Sequence, residues 1–227
     1  MALRGGRLGR SPGALAAVRP RVYLLGACLG GCLAACSATR VGGGSAYPER
    51  PAAVASAEPG AGAAASLGEV VLTDQRAQPV RLDDFVAAHR LTVVVFYAAD
   101  CPCFAAHVPR LVALQRAYLA ADVELIVVDS ERHPPPEPGA PAIGGGIVGM
   151  RDPEGTLARR LDATFATETF VFDSARRLRY HGGIDGDRTY LHPTAQAYLG
   201  DALRSLVSGE SPASSTSKAL GCALRLR

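Results

Sequence analysis

Cysteine is scarce in this chain: six residues in 227, far below the density of a disulfide scaffold, so the core has to come from apolar packing. Acid is missing from residues 1–35, which hold five arginines (Arg4, Arg7, Arg10, Arg19, Arg21). Setting those five aside from the 24 basic residues leaves 19, against 21 acidic ones. The formal charge of +3 therefore belongs to this leader, and the rest has no broad positive footprint for nucleic acid. The apolar run Val22–Ala35 has 14 residues, short of the roughly 20 that a helix needs to cross a bilayer. No Lys-Ser/Thr follows Gly144-Gly145-Gly146, which excludes a phosphate loop. Asp185-Gly186-Asp187-Arg188-Thr189 lacks the later ligands of a calcium loop and reads as a polar turn. No internal repeat and no cofactor motif is visible, so the expectation is a chain without a bound cofactor. With 48% hydrophobic residues, what remains suits one ordinary globular domain plus an unfolded remainder.

An arginine-bearing start followed by a short apolar run is the pattern of an export signal. Its end, Leu33-Ala34-Ala35-Cys36-Ser37, resembles the bacterial lipoprotein signal, in which a small-residue pair precedes a cysteine that is lipidated and becomes the new N-terminus. The resemblance implies a signal peptide at 1–35, lipidation at Cys36 and a lipid anchor to a membrane, periplasm-facing. A plain cleaved signal is the alternative. Acylation at Cys36 would discard Cys28 and Cys32 and leave Cys101, Cys103 and Cys222 as the mature thiols. An exported chain meets oxidising surroundings, where these three can cycle through disulfides. Residues 36–67 are mostly Ala, Gly, Pro and Ser and read as a disordered tether.

Regular structure is expected from residue 68 to 208. Glu69–Leu72 and Gln78–Leu82 are candidate strands. Leu91–Tyr97 is a continuous β-branched and aromatic run, as in a strand buried on both faces. Phe104–Ala121 has helical period: Phe104, Val108, Leu111, Leu114, Tyr118 and Leu119 share an arc, with Gln115 as the exception. Pro109 interrupts this helix after its first turn and should kink it. Val123–Asp129 is a second buried strand, parallel to the first through a right-handed crossover. Glu131–Gly146 reads as a loop, Thr156–Leu161 as a short helix, and Thr169–Phe172 with Leu178–His181 as a hairpin. A final helix over Tyr198–Val207 stops at Gly209, and 209–227 reads as a flexible tail that carries Cys222.

The chemistry concentrates in Phe96-Tyr97-Ala98-Ala99-Asp100-Cys101-Pro102-Cys103. A thiol stands where a buried strand turns into a helix, and a proline occupies the first helical position, where its missing N–H costs nothing. The free N–H groups of that helix and its dipole favour a thiolate at Cys101. A thiol with a pKa near 8.5 is only a few per cent ionised at about pH 7, and lowering it two units makes it roughly three-quarters thiolate. Asp100 acts the other way, because an adjacent negative charge disfavours the anion.

These residues resemble the thioredoxin-like superfamily, specifically the redoxin group of alkyl hydroperoxide reductase and thiol-specific antioxidant proteins. The resemblance spans roughly Gly68 to Ser208. It rests on strand, Cys-Pro, proline-bearing helix, strand, late hairpin and closing helix. Pro109 lies eight residues beyond Cys101, as the helix proline of thioredoxins does beyond the first cysteine of Cys-x-x-Cys. It implies an α/β fold of the thioredoxin-like type, a central mixed β-sheet flanked by helices, with Cys101 as nucleophile. Three departures stand out. Cys103 occupies the third position of the motif rather than the fourth. The Pro and Thr of the peroxiredoxin pattern Pro-x-x-x-Thr-x-x-Cys are Val94 and Ala98 here. Ala166-Thr167-Glu168 has no proline where thioredoxins place a cis-proline.

Two partners for Cys101 remain open. Residues two apart in a helix have Cα atoms within disulfide range, but their Cβ directions differ by about 200°, so a Cys101–Cys103 bridge requires unwinding. Cys222 lies 14 residues past Ser208 and can reach at most roughly 45 Å. Ser217-Lys218-Ala219-Leu220-Gly221-Cys222 also resembles the C-terminal cysteine signature of some redoxin lipoproteins. The expected function is an envelope-facing thiol-disulfide oxidoreductase, or a peroxiredoxin-like antioxidant. Its catalytic candidates are Cys101, Cys103 and Cys222, and its partner is a protein dithiol or disulfide, or a peroxide. One alternative is a copper- or metal-binding chaperone using Cys101, Cys103 and His107, with His181 or His192 as a distant ligand. Others are a redox-inert adaptor and a static disulfide staple.

Overall fold

A computed structural model describes residues 67–226 apart from Pro135 and Glu137. The leader at 1–35, Cys36 and the tether to residue 66 lie outside the described residues. A hairpin of β1 (Val71–Asp74) and β2 (Pro79–Arg81) opens the domain and leads into α1 (Leu82–Ala87). Then come β3 (Leu91–Tyr97), α2 (Pro102–Tyr118) with a 3-10 turn over Leu119–Ala121, and β4 (Val123–Asp129). The second half comprises β5 (Val148–Arg151), α3 (Thr156–Arg160), β6 (Thr169–Asp173), β7 (Leu178–Gly182) and α4 (Tyr198–Val207). One seven-stranded mixed sheet runs in the order β2-β1-β5-β4-β3-β6-β7. β3, β4 and β5 are parallel, and the outer pairings are antiparallel. The thioredoxin-like α/β fold expected from the sequence is present.

Strand periodicity divides the core in two. Leu91, Val93 and Val95 of β3 and Val123, Leu125 and Val127 of β4 face one layer, with Phe104, Leu111, Leu199 and Leu203 from α2 and α4. Val94 and Phe96, with Ile126 and Val128, face the other, against Leu82, Val86 and Leu157 from α1 and α3. Both central strands are buried on both sides, which is why they read as unbroken apolar runs.

Gln115, the polar exception on the α2 arc, is buried, and its Oε1 accepts from the Leu125 N–H at 2.7 Å. β5 pairs only with Ile126–Asp129, so the first half of β4 has no strand on that side. The amide of Gln115 supplies part of what is missing. Leu119 was expected on the same arc but is 59% exposed, because the tighter 3-10 turn carries it off the helix stripe. Pro109 stands inside α2 as the spacing predicts.

Two elements were not foreseen. α1 is six residues long, too short for a helical period to show. β5 follows the Pro- and Gly-rich loop and has glycine at its second position. That glycine is required: a Cβ on Gly149 would overlap the Pro141 carbonyl, where the loop crosses the strand. Gly149→Ala should therefore cost about 1–3 kcal/mol, the usual range for overpacking a rigid contact. Gly139→Ala, with open space around its Cβ, should be neutral. Equal urea midpoints for the two variants would contradict this packing.

Residues 209–226, expected as a flexible tail, are laid along the domain. Ser217 N–H donates to the His181 carbonyl at 3.0 Å, and His181 N–H donates to the Ser215 carbonyl at 2.9 Å. The tail thus makes one parallel bridge to β7, between His181 and Thr216. It covers an edge whose unpaired backbone groups would otherwise face solvent.

Candidate functional site

Cys101 is the N-cap of α2, directly after the turn that ends β3, and Pro102 opens the helix. Its N–H donates to the Ala98 carbonyl at 3.2 Å, and its carbonyl accepts the Ala105 N–H at 3.1 Å. Only 2% of the residue is exposed. Tyr97 meets the Phe104 ring edge-on at 4.9 Å, which ties the end of β3 to the first turn of α2.

Cys101 is joined to Cys222 by a disulfide, with Cα atoms 5.8 Å apart and 121 residues between them in sequence. Cys103 is a free, buried thiol. Of the two partners left open by the sequence, the structure takes Cys222. Cys103 stands in the first turn of α2, and its sulfur stays unbonded beside the pair. Closing a loop of this size contributes about 4.7 kcal/mol in the chain-entropy account.

Backbone pairing presents the tail to Cys101. Ala166 N–H donates to the Cys222 carbonyl at 2.8 Å, Leu224 N–H to the Thr164 carbonyl at 2.9 Å, and the Thr167 hydroxyl to the Leu220 carbonyl at 3.0 Å. The segment Ala166-Thr167-Glu168, where a proline was missed, is therefore where the tail docks. Thr167 has a φ of 75°, and its N–H reaches the Phe96 carbonyl at 2.9 Å. Glu168 pins this loop. Its carboxylate accepts the N–H groups of Thr164 (2.8 Å) and Phe165 (3.1 Å) and lies 2.7 Å from His181 Nε2. The His181 ring stacks on Phe170 at 4.2 Å. Gly221 passes so close to Ala166 that a Cβ there would overlap its carbonyl.

The charge beside the site differs from what the sequence suggested. Asp100 does not act alone on Cys101: Arg225 donates to Asp100 Oδ1 at 2.8 Å and to Glu131 Oε2 at 2.9 Å. The Arg225 hydrogen bond holds the Asp100 carboxyl below its ordinary range. Glu131 is itself buried, so the guanidinium neutralises a carboxylate that would be costly to leave alone. Arg225 was missed because nothing in its local sequence marks it. Burial raises the Tyr97 hydroxyl, with further contributions from Asp129, Glu131 and Asp100.

His107 is not available as a ligand. Its Nδ1 lies 2.6 Å from the Cys103 carbonyl and its Nε2 3.0 Å from Asp185 Oδ1, both buried. The donor set Cys101, Cys103 and His107 is therefore not assembled, because helix geometry turns the ring toward Asp185. His181 is paired with Glu168 and His192 with Asp187, so neither stands free as a distant ligand. Asp185, in the segment read as a polar turn, is buried and also receives Arg110. What does gather is Cys101, Cys103 and Cys222, whose three sulfurs all lie within 4.8 Å of one another.

A thioredoxin-like fold with a cysteine at the strand-to-helix corner defines the redoxin class. Residues 64–181, more than half of the chain, match the AhpC/TSA family, and the chain belongs to that family. Among solved structures it is similar to a hypothetical protein from Sinorhizobium meliloti 1021, at 20% identity and a TM-score of 0.61, covering 71% of this chain and 92% of that one. An uncharacterized conserved protein from Geobacillus kaustophilus is similar at 22% identity and a TM-score of 0.63, covering 71% and 90%. These likenesses concern the fold. No curated protein matches the chain.

Two outcomes follow from the docking geometry. Arg225→Ala should make Cys101–Cys222 easier to reduce, lowering its equilibrium constant against glutathione several-fold, because the tail loses its hold on Asp100 and the buried Glu131 loses its partner. An unchanged constant would remove Arg225 from the docking account. Burial pushes the Glu168 carboxyl up, but the hydrogen bonds from His181, Thr164 and Phe165 outweigh it and hold the group below its ordinary 4.5. The unfolded chain thus protonates first as pH falls. The stabilisation is complete above that ordinary value and is lost as the pH falls through the lower folded value. Glu168→Gln should accordingly flatten the loss of urea stability between about pH 6 and about pH 3, and a retained slope would assign it to other carboxylates.

Proposed function

We propose that this chain is an exported, lipid-anchored thiol-disulfide oxidoreductase of the redoxin type, with Cys101 as nucleophile and Cys222 as resolving cysteine. The observation that carries the reading is the pairing of Cys101 with Cys222 across 121 residues, at the N-terminus of α2. A static staple needs no such corner, whereas a nucleophile gains from the helix dipole. In the reduced form the Cys101 thiolate attacks one sulfur of a substrate disulfide, forming a mixed disulfide and releasing one substrate thiolate. The Cys222 thiolate then attacks the Cys101 sulfur, closing Cys101–Cys222 and releasing the second substrate thiolate. Two electrons pass from the protein dithiol to the substrate. A second dithiol protein returns them by the same exchange in reverse.

Family membership supports a second reading, in which Cys101 attacks a peroxide. The thiolate takes one oxygen to become a sulfenate and releases water or an alcohol, and Cys222 condenses with the sulfenate to release water. Val94 and Ala98, which replace the Pro and Thr of the peroxiredoxin pattern, favour the disulfide reaction. The placement in the cell envelope rests on the arginine-bearing leader, the apolar run Val22–Ala35 and Cys36 in its small-residue setting.

Parallel assays of insulin disulfide reduction and peroxide consumption separate the two reactions. The proposal expects turnover with disulfide, none in Cys101→Ser, and a trapped mixed disulfide at Cys101 in Cys222→Ser, seen by mass spectrometry. If wild-type protein with an intact fold turns over neither substrate, the adaptor reading stands and the enzymatic one falls.

A further inference from the structure

Cys103 has no part in the exchange described above, yet it is a buried thiol beside both partners of the disulfide. We propose that the reduced protein holds one monovalent copper ion on the three thiolates of Cys101, Cys103 and Cys222. This site is independent of whether the Cys101–Cys222 couple turns over. It requires only that the disulfide be opened.

Geometry supports the ion. Three sulfurs around a metal at about 2.3 Å stand about 4.0 Å apart in a trigonal plane. The three sulfurs here all lie within 4.8 Å of one another. Reduction lets the Cys101 and Cys222 sulfurs move apart toward that spacing, with the Cys103 sulfur already within 4.8 Å of both.

The donor chemistry selects the ion. Three soft sulfur donors suit Cu(I), whereas a structural zinc site asks for a fourth protein ligand. The nearest imidazole in sequence, His107, is held between the Cys103 carbonyl and Asp185 and cannot supply one. Cys101 and Cys103 are nearly inaccessible to solvent, at 2% and 3% exposed, a setting that disfavours hard, strongly hydrated cations. The excess negative charge of three thiolates sits at the N-terminal end of α2, where the helix dipole is favourable.

Two of the three ligands come from one helix turn and the third from the tail. The site is thus complete only while the tail is docked, and its redox state decides whether it exists. In the disulfide form a single thiol remains, that of Cys103.

The test is an anaerobic titration of the fully reduced full-length chain with Cu(I) buffered by bathocuproine disulfonate. One ion per chain should be retained against the chelator, and X-ray absorption should show three sulfur neighbours at about 2.3 Å. Cys103→Ala should reduce the sulfur number to two and weaken binding by more than the about 10–100-fold that outer-shell changes cost. Cys222→Ser, which alters only the tail, should do the same, so misfolding of the Cys103 variant cannot decide the result. His107→Gln should leave the sulfur number at three. Stoichiometric removal of copper by the chelator from the wild-type protein, or unchanged affinity in both cysteine variants, would overturn the site.

Discussion

The disulfide between the helix-capping Cys101 and Cys222, 121 residues away, is the constraint on which the site depends. The Cys103 sulfur also lies within 4.8 Å but stays unbonded, so the partner of Cys101 arrives from a distant part of the chain. The tail supplies it, and the domain commits an edge strand, a loop and two carboxylates to holding the tail in place.

The docking is distributed. Sheet-type hydrogen bonds at His181 start it, the Glu168-pinned loop continues it, and Arg225 closes it against Asp100 and the buried Glu131. Each neutral hydrogen bond contributes about 0.5–1.5 kcal/mol net, so several together rival the entropy of closing the loop. Arg225 has a second effect. It travels with Cys222, so the cation that offsets Asp100 and the cysteine that pairs with Cys101 are present or absent together. The electrostatic surroundings of Cys101 and the availability of its partner are thereby coupled through one short segment.

Much of the fold was legible in the sequence because it depends on local pattern. β3 and β4 announce themselves as apolar runs since both faces are covered, and α2 and α4 by their periodic stripes. α1 and β5 were not legible. The first is too short to show a period, and the second is interrupted by Gly149, whose reason is the Pro141 carbonyl from a loop distant along the chain. Gln115 read as a flaw in a stripe and is a backbone partner for β4, a role defined only by the shortness of β5.

For the site, the sequence alone determined that Cys101 stands at a strand-to-helix corner with a proline behind it. That is a matter of neighbouring residues and their intrinsic preferences. It left Cys103 and Cys222 both open as partners, with helix geometry counting against the first and chain reach permitting the second. Only the tertiary structure decided for Cys222, turned His107 toward Asp185, and brought Arg225 to Asp100 and Glu131. Each of those outcomes joins residues tens of positions or more apart, and no local preference encodes which distant groups a packed chain brings within bonding distance.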